Sequence, residues 1–338
     1  MKNRLIVLGF ALALLAACRF ASDATPTAEA RPTGVSISPT TAPIEETIAP
    51  GNYELSLGSE NDTRDVIVHI PPAYDGNLEL PLLIVLHGGA GSGQHIQRLS
   101  GLDADADEYG FMVAYPDGSG RLEDSLLTWN AGHCCAYALT NQVDDVAFLS
   151  LLIDRLVEHY AIDPARVYIT GISNGGMMAY RAGAGLAGKV AGIAPIAGSI
   201  GGRISENGFE IVPDRPRAPV SVIAFHGMQD EHVLYEGGVS PKDIDGGRVD
   251  ISVAESIRYW LEANGCGPTL ATETLADGNI VIDTYSGCEG ATEVVLVTIV
   301  DGGHAWPGAS RGLVSDQPTQ DISANQMMLE FFLAHPKQ

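Results

Sequence analysis

The chain has 338 residues, 45% of them hydrophobic and 18% charged, with 39 Gly and 19 Pro. That is enough for one large domain and excludes disordered and collagen-like classes. Its formal charge of -23 repels phosphate backbones and anionic membrane surfaces, so a nucleic-acid partner is excluded as well.

At the N-terminus, Lys2 and Arg4 precede an apolar run from Leu5 to Ala17. A basic segment before a run of this length predicts a secretory signal and is too short to span a bilayer. The run ends Leu15-Ala16-Ala17-Cys18, which resembles the lipobox of bacterial lipoproteins; the resemblance implies diacylation of Cys18 as the new N-terminus. An ordinary signal cleaved nearby is the alternative. The expected division is a signal at 1–17, a flexible Ala/Thr/Pro/Ser linker at 18–50 and one domain at 51–338. Two acyl chains suffice for stable anchoring, so the membrane is met only through this anchor, and the domain is expected outside the cytoplasm, anchored or secreted.

Beyond Asn52, short apolar runs alternate with amphipathic ones. Strands are predicted at Val66 to Ile70, Leu82 to His87, Phe111 to Tyr115, Val167 to Thr170, Ala191 to Ala197, Val220 to His226 and Val294 to Val300. Runs such as Leu82 to Leu86, apolar at every position, are expected of parallel strands covered on both faces. Helical spacing places a helix from Val146 to Tyr160 behind an Asp144 cap. Ser252 and Glu255 form a capping box for another that Gly265 closes, and a last helix is expected from about Asp321 to Leu333. The alternation predicts an α/β domain, its mostly parallel sheet carrying helices on both faces.

Val167-Tyr168-Ile169-Thr170-Gly171-Ile172-Ser173-Asn174-Gly175 runs a strand into a helix through Gly-x-Ser-x-Gly. The turn is so sharp that the residues two before and two after Ser173 need to lack side chains. A Ser nucleophile requires a base and an orienting carboxylate from loops after later strands. Asp230 follows the strand ending at Phe225, and His304 follows the strand ending at Val300; Ser173, Asp230, His304 is the α/β-hydrolase order. The plainer readings are a turn residue for Asp230 and a surface loop residue for His304. His226 reads as a structural residue at a strand end and His232 as an ordinary loop residue. Upstream, His87-Gly88-Gly89-Ala90-Gly91 stands where this fold supplies an oxyanion amide, so the backbone N–H groups of Gly89 and Asn174 are expected to form the oxyanion hole. A phosphate loop is the competing reading, and the Gly-Lys-Ser/Thr ending it requires is missing.

Together with Trp129-Asn130-Ala131-Gly132-His133-Cys134-Cys135, Asp144-Asp145-Val146-Ala147-Phe148 and Gly303-His304-Ala305-Trp306-Pro307-Gly308, these segments resemble the secreted polyhydroxybutyrate-depolymerase and feruloyl-esterase branch of the α/β-hydrolases. The resemblance covers about Tyr53 to Leu333. It implies an α/β-hydrolase fold, a Ser173–Asp230–His304 triad, and hydrolysis of small or polymeric carboxylic esters with no metal or organic cofactor. His133 departs from the Gly-rich character expected before the Cys pair. A serine peptidase on the same fold and a surface-displayed binding protein with a relic triad are the rival functions. Trp306 and Trp129 are expected to line the substrate cleft; packing in the core is the alternative for both.

Five Cys reduce to four once Cys18 is lipidated, and four allow three pairings. A Cys266–Cys288 bridge would close a strand-bearing excursion and contribute roughly 3 kcal/mol in the loop-entropy model. That leaves Cys134 and Cys135, whose mutual bridge the resemblance favours; cross-pairing and a metal site at His133-Cys134-Cys135 are the alternatives.

Overall fold

The computed structural model describes residues 49–59, 62–122, 125–242, 246–311 and 316–338. The expected signal peptide, Cys18 and nearly all of the linker lie outside the described residues. The elements, in chain order, are β1 (Gly51–Ser59), β2 (Asp62–Ile70), β3 (Leu80–Leu86), α1 (Gly93–Ser100), α2 (Leu102–Tyr109), β4 (Met112–Pro116), α3 (Ala136–Thr140), α4 (Asp145–His159), β5 (Ile162–Ile172) and α5 (Asn174–Gly185). Then follow β6 (Gly192–Ile196), β7 (Gly202–Arg203), β8 (Ser221–Gly227), β9 (Gly238–Val239), β10 (Val249–Asp250), α6 (Val253–Ala263), β11 (Leu270–Leu275), β12 (Ile280–Tyr285), β13 (Val294–Ile299) and α7 (Ala324–Ala334).

Ten strands form one sheet in the order β1-β2-β4-β3-β5-β6-β8-β13-β12-β11. From β4 to β13 neighbours are parallel, and antiparallel pairs close both edges. Side chains of the central strands alternate between two cores, as a period of two demands. Leu82, Ile84 and Leu86 pack with Leu149 and Leu152 of α4, Met178 of α5 and Trp260 of α6. Leu83 and Val85 face the other way, toward Ile96 of α1, Ala106 of α2 and Phe332 of α7. Each such side chain, fully buried, contributes roughly 1.5–3 kcal/mol. Helices therefore cover both faces, as the patterning requires.

All seven predicted strands are present. The cap on α4 is Asp144, whose carboxylate accepts from the Ala147 N–H at 3.0 Å, and the capping box on α6 is complete. Gly265, at φ +60°, ends α6 in a paired turn. Its N–H reaches the Glu262 carbonyl, and the Cys266 N–H reaches that of Leu261. This double bond is the Schellman closure, and it delivers Cys266 to its bridge with Cys288. The last helix begins later than expected, at Ala324, because Ser323 caps it, while Asp321 accepts instead from the Asn279 side chain.

After β3 the chain steps outward to β4 and then crosses back to β5, on the far side of β3. Such a reversal leaves a crevice at the C-terminal ends of the two strands. The His87–Gly91 loop leaves from one of them and the Ser173 turn from the other.

Candidate active site

Ser173 joins β5 to α5 at φ 59°, ψ -123°, a conformation that costs an L-residue roughly 1–3 kcal/mol. What holds it there is close packing. A Cβ on Gly171 would lie 2.7 Å from the Gly175 backbone, so only glycine lets the two limbs of the turn approach. The Ser173 N–H donates to the Ile196 carbonyl at 2.9 Å, and the Ser173 carbonyl accepts the first bond of α5 from Met177 at 2.8 Å.

Asp230 lies on the turn after β8, its side chain fully buried. One carboxylate oxygen accepts from the N–H groups of His232 and Val233, at 2.8 and 2.9 Å; the other lies 2.7 Å from Nδ1 of His304. Burial alone would raise this carboxyl. The His304 and His226 rings outweigh that cost and hold it far below the usual carboxylate range, so it is an acceptor only. His304 Nδ1 therefore carries the hydrogen, leaving Nε2 with its lone pair free to accept a proton. The His304 backbone is clamped by Asp316, which accepts from its N–H at 2.8 Å and donates its own N–H to the His304 carbonyl at 3.1 Å. Among the described residues no hydrogen bond joins the Ser173 hydroxyl to the His304 ring; such bonds often tighten only around substrate.

The loop after β3 is held from within by His87. Its Nδ1 lies 2.8 Å from the Gly88 carbonyl and its Nε2 accepts from the Gly118 N–H at 2.9 Å. Burial pushes the ring down to about 4, so it is neutral at physiological pH with the hydrogen on Nδ1. The N–H groups of Ala90 and Gly91 are bonded within the protein. Those of Gly89 and Asn174 donate to no protein acceptor among the described residues. A Cβ on Gly89 would meet the Asn174 Cβ at 3.8 Å, so the two residues are neighbours across the crevice.

Trp129 and Trp306 depart from the expected cleft positions. Trp129 is 0% exposed and Trp306 1%. Trp129 braces the site from behind: its indole donates to the His87 carbonyl at 3.1 Å. Its backbone exchanges bonds of 2.7 and 2.9 Å with the Asn174 side chain. Trp306 turns into the core under α7 and donates to Asn325 Oδ1 at 2.9 Å. In both cases the polar atom finds a partner indoors, which lets an indole be buried fully. The following Pro307 fixes the chain without revealing which way the indole turns.

Cys134 and Cys135 are bridged to each other, so neither cross-pairing nor a metal site on these thiols describes them. His133 is buried, its Nε2 at 3.0 Å from Asp250. Asp250 also pairs with Arg248 at 3.0 Å, whose Nη1 reaches the Cys134 sulfur at 3.3 Å. On the other flank Asp145 accepts from the Asn130 N–H at 2.6 Å and from Arg64 at 2.6 Å. The Trp129 loop is thus tied to α4, α5 and β10. His226 has the structural place expected of it, with Nε2 2.8 Å from the Val233 carbonyl. His232 is more than a loop residue, because its ring packs 4.8 Å from that of His304. No spacing rule pointed to it or to Arg248.

Residues 66–203 match the family model described as Esterase PHB depolymerase. Over those residues, which run from β2 to β7, the chain is similar to that family. Over 244 residues it is 34% identical to feruloyl esterase B of Piromyces equi, a match covering 72% of this chain and 42% of that protein. The chain thus spans less than half the length of that relative. It is 29% identical to NocK of Nocardia uniformis subsp. tsuyamanensis, named as an esterase, over 96% of this chain and 97% of that one. Among solved structures, acetyl xylan esterase from Aspergillus awamori superposes with a TM-score of 0.53 at 17% identity, covering 80% of this chain and 93% of that one. At that identity the likeness is one of fold, and the fold is the α/β-hydrolase one. The matched family and both of these relatives carry the name of esterase.

Proposed function

We propose that the protein is an extracytoplasmic serine esterase that works through an acyl-enzyme on Ser173. The observation that carries this reading is the buried Asp230–His304 pair, set at the same sheet edge as the Ser173 turn. Ser173 Oγ attacks the ester carbonyl carbon while His304 Nε2 takes its proton. The Gly89 and Asn174 N–H groups receive the negative charge that develops on the carbonyl oxygen. Collapse expels the alcohol, which leaves with the proton from His304. Water, deprotonated by the same nitrogen, then releases the acid. Asp230 orients His304 throughout and offsets the charge of the imidazolium.

The substrates we propose are polyhydroxyalkanoates or hydroxycinnamoyl and acetyl esters of polysaccharides. The family model and the names of the relatives support that range. So do Leu122 and Leu126, exposed apolar side chains close in sequence to Leu127, which bridges to Gly91 of the oxyanion loop. We further propose that Cys18 carries a lipid that holds the domain outside the cytoplasm on the tether that follows.

The test is hydrolysis of methyl ferulate, acetylated xylan, short hydroxybutyrate oligomers and an unactivated dipeptide amide. Ester turnover that Ser173→Ala abolishes supports the reading. Turnover of the amide alone, or ester turnover that survives Ser173→Ala within about tenfold, would falsify it.

A further inference from the structure

We propose that His232 is a positioning residue for this reaction, its ring bearing on the His304 imidazole and holding that ring in the plane it needs between Asp230 and the nucleophile. The inference rests on the esterase reading above.

Three observations carry it. The His232 and His304 ring centroids lie 4.8 Å apart at an interplanar angle of 36°, inside the range of attractive offset ring contacts. The His232 backbone is fixed from both sides. Its N–H donates to Asp230 Oδ1 at 2.8 Å, the carboxylate whose other oxygen holds His304, and its carbonyl accepts from Arg248 Nη2 at 3.4 Å. Arg248 in turn reaches the Cys134 sulfur, so the loop bearing acid and packing ring is linked to the loop behind the nucleophile. A single hydrogen bond at Nδ1 leaves an imidazole free to swing about that bond. A second ring against its face removes the freedom, and misplacement of a reacting group by about 1 Å costs on the order of a hundredfold.

For the contact to help catalysis, His232 must stay neutral while His304 works, since two adjacent cationic rings repel. Its surroundings favour the neutral form. Burial lowers its proton affinity first, then His304 and Lys242; Asp230 and Asp316 oppose them without winning. Lys242 is itself paired with Glu231 at 2.9 Å, and Arg248 stands behind the His232 carbonyl. Cations thus face His232 from the Lys242 turn and from Arg248, and carboxylates from its own turn and the His304 loop.

The experiment compares His232→Ala and His232→Phe with the wild type, reading kcat, KM and Tm on a short acetate ester. Loss of the ring should lower kcat by about tenfold with KM and Tm little changed. His232→Phe, which keeps a flat ring without a titrating nitrogen, should restore kcat to within about threefold. The proposal is overturned if His232→Ala keeps wild-type kcat, or if kcat and Tm fall together and Phe restores neither. Labelling of Ser173 by a fluorophosphonate in the same samples separates the cases. If the wild type itself is not labelled, the esterase reading has failed; if it is labelled and His232→Ala labels as fast, only the role of His232 has.

Discussion

The pairs His304–Asp230 and His133–Asp250 are both buried histidine–carboxylate contacts, and they are built for opposite ends. In the pair His304–Asp230 the carboxylate is buried while the His side chain keeps 9% of its surface open. The bond uses Nδ1, so Nε2 faces outward. In the pair His133–Asp250 the side chains are 0% and 1% exposed; the bond uses Nε2, and Nδ1 is buried with no partner among the described residues. Asp250 is shared with Arg248, whereas Asp230 spends its second oxygen on backbone N–H groups. A hydrogen-bonded His and Asp therefore do not make a general base. Access to the second nitrogen, and a carboxylate that no permanent cation shares, make the difference.

The largest effects should come from exchanging substitutions between the pairs. His304→Ala should lower kcat/KM by about ten-thousandfold or more, and Asp230→Asn by somewhat less. His133→Ala should leave kcat/KM within about tenfold, and Asp250→Asn, which takes a carboxylate from the nearly buried Arg248, should cost roughly 3 kcal/mol of stability. Urea melts beside initial rates on an aryl acetate measure both quantities. Equal activity losses for the two histidines would erase the distinction.

Trp306→Ala sharpens the contrast between site and support. Removing an indole from the core under α7 should destabilise the domain by about 3–5 kcal/mol. Any loss of rate should be equal for short and long esters, because the ring touches no substrate. A loss confined to long esters at unchanged Tm would return Trp306 to the cleft.

A smaller effect concerns pH. Among the described residues the His87 ring bonds only to backbone groups of Gly88 and Gly118, and burial holds it at about 4 against an ordinary 6.5. Its contribution to stability is complete above the unfolded value. As pH falls from about 6.5 toward 4 the unfolded ring takes a proton that the native ring refuses, and up to about 3 kcal/mol is lost. Asp230, held far below the carboxylate range, is ionised in both states in the upper part of that window; its contribution starts to fall only below about pH 5, where the unfolded carboxyl takes protons. Tm should therefore decline between pH 6.5 and 4 less steeply in His87→Gln than in the wild type. The same slope in both would contradict the assignment.

Much of this was legible in the sequence, for physical reasons that also mark where reading stops. Leu82 to Leu86 declares a doubly covered strand because burial on both faces leaves no polar position. Ser173, Asp230 and His304 declare themselves because each follows a strand that ends at one sheet edge. The strand β1 alternates, with Tyr53, Leu55 and Leu57 only partly buried, and so weak an apolar stripe passes for loop. The edge strand β11 has every residue exposed, so no apolar signal exists to read. The places of Trp129, Trp306 and His232 are not legible in this way, because sequence gives a residue's neighbours along the chain and not the direction of its ring.

The most direct measurement of the central claim is covalent labelling by a fluorophosphonate followed by peptide mapping. The account predicts a single adduct on Ser173 in the wild type, formed far more slowly in His304→Ala and at nearly wild-type rate in His133→Ala. An adduct elsewhere, or labelling of Ser173 indifferent to the loss of His304, would contradict it.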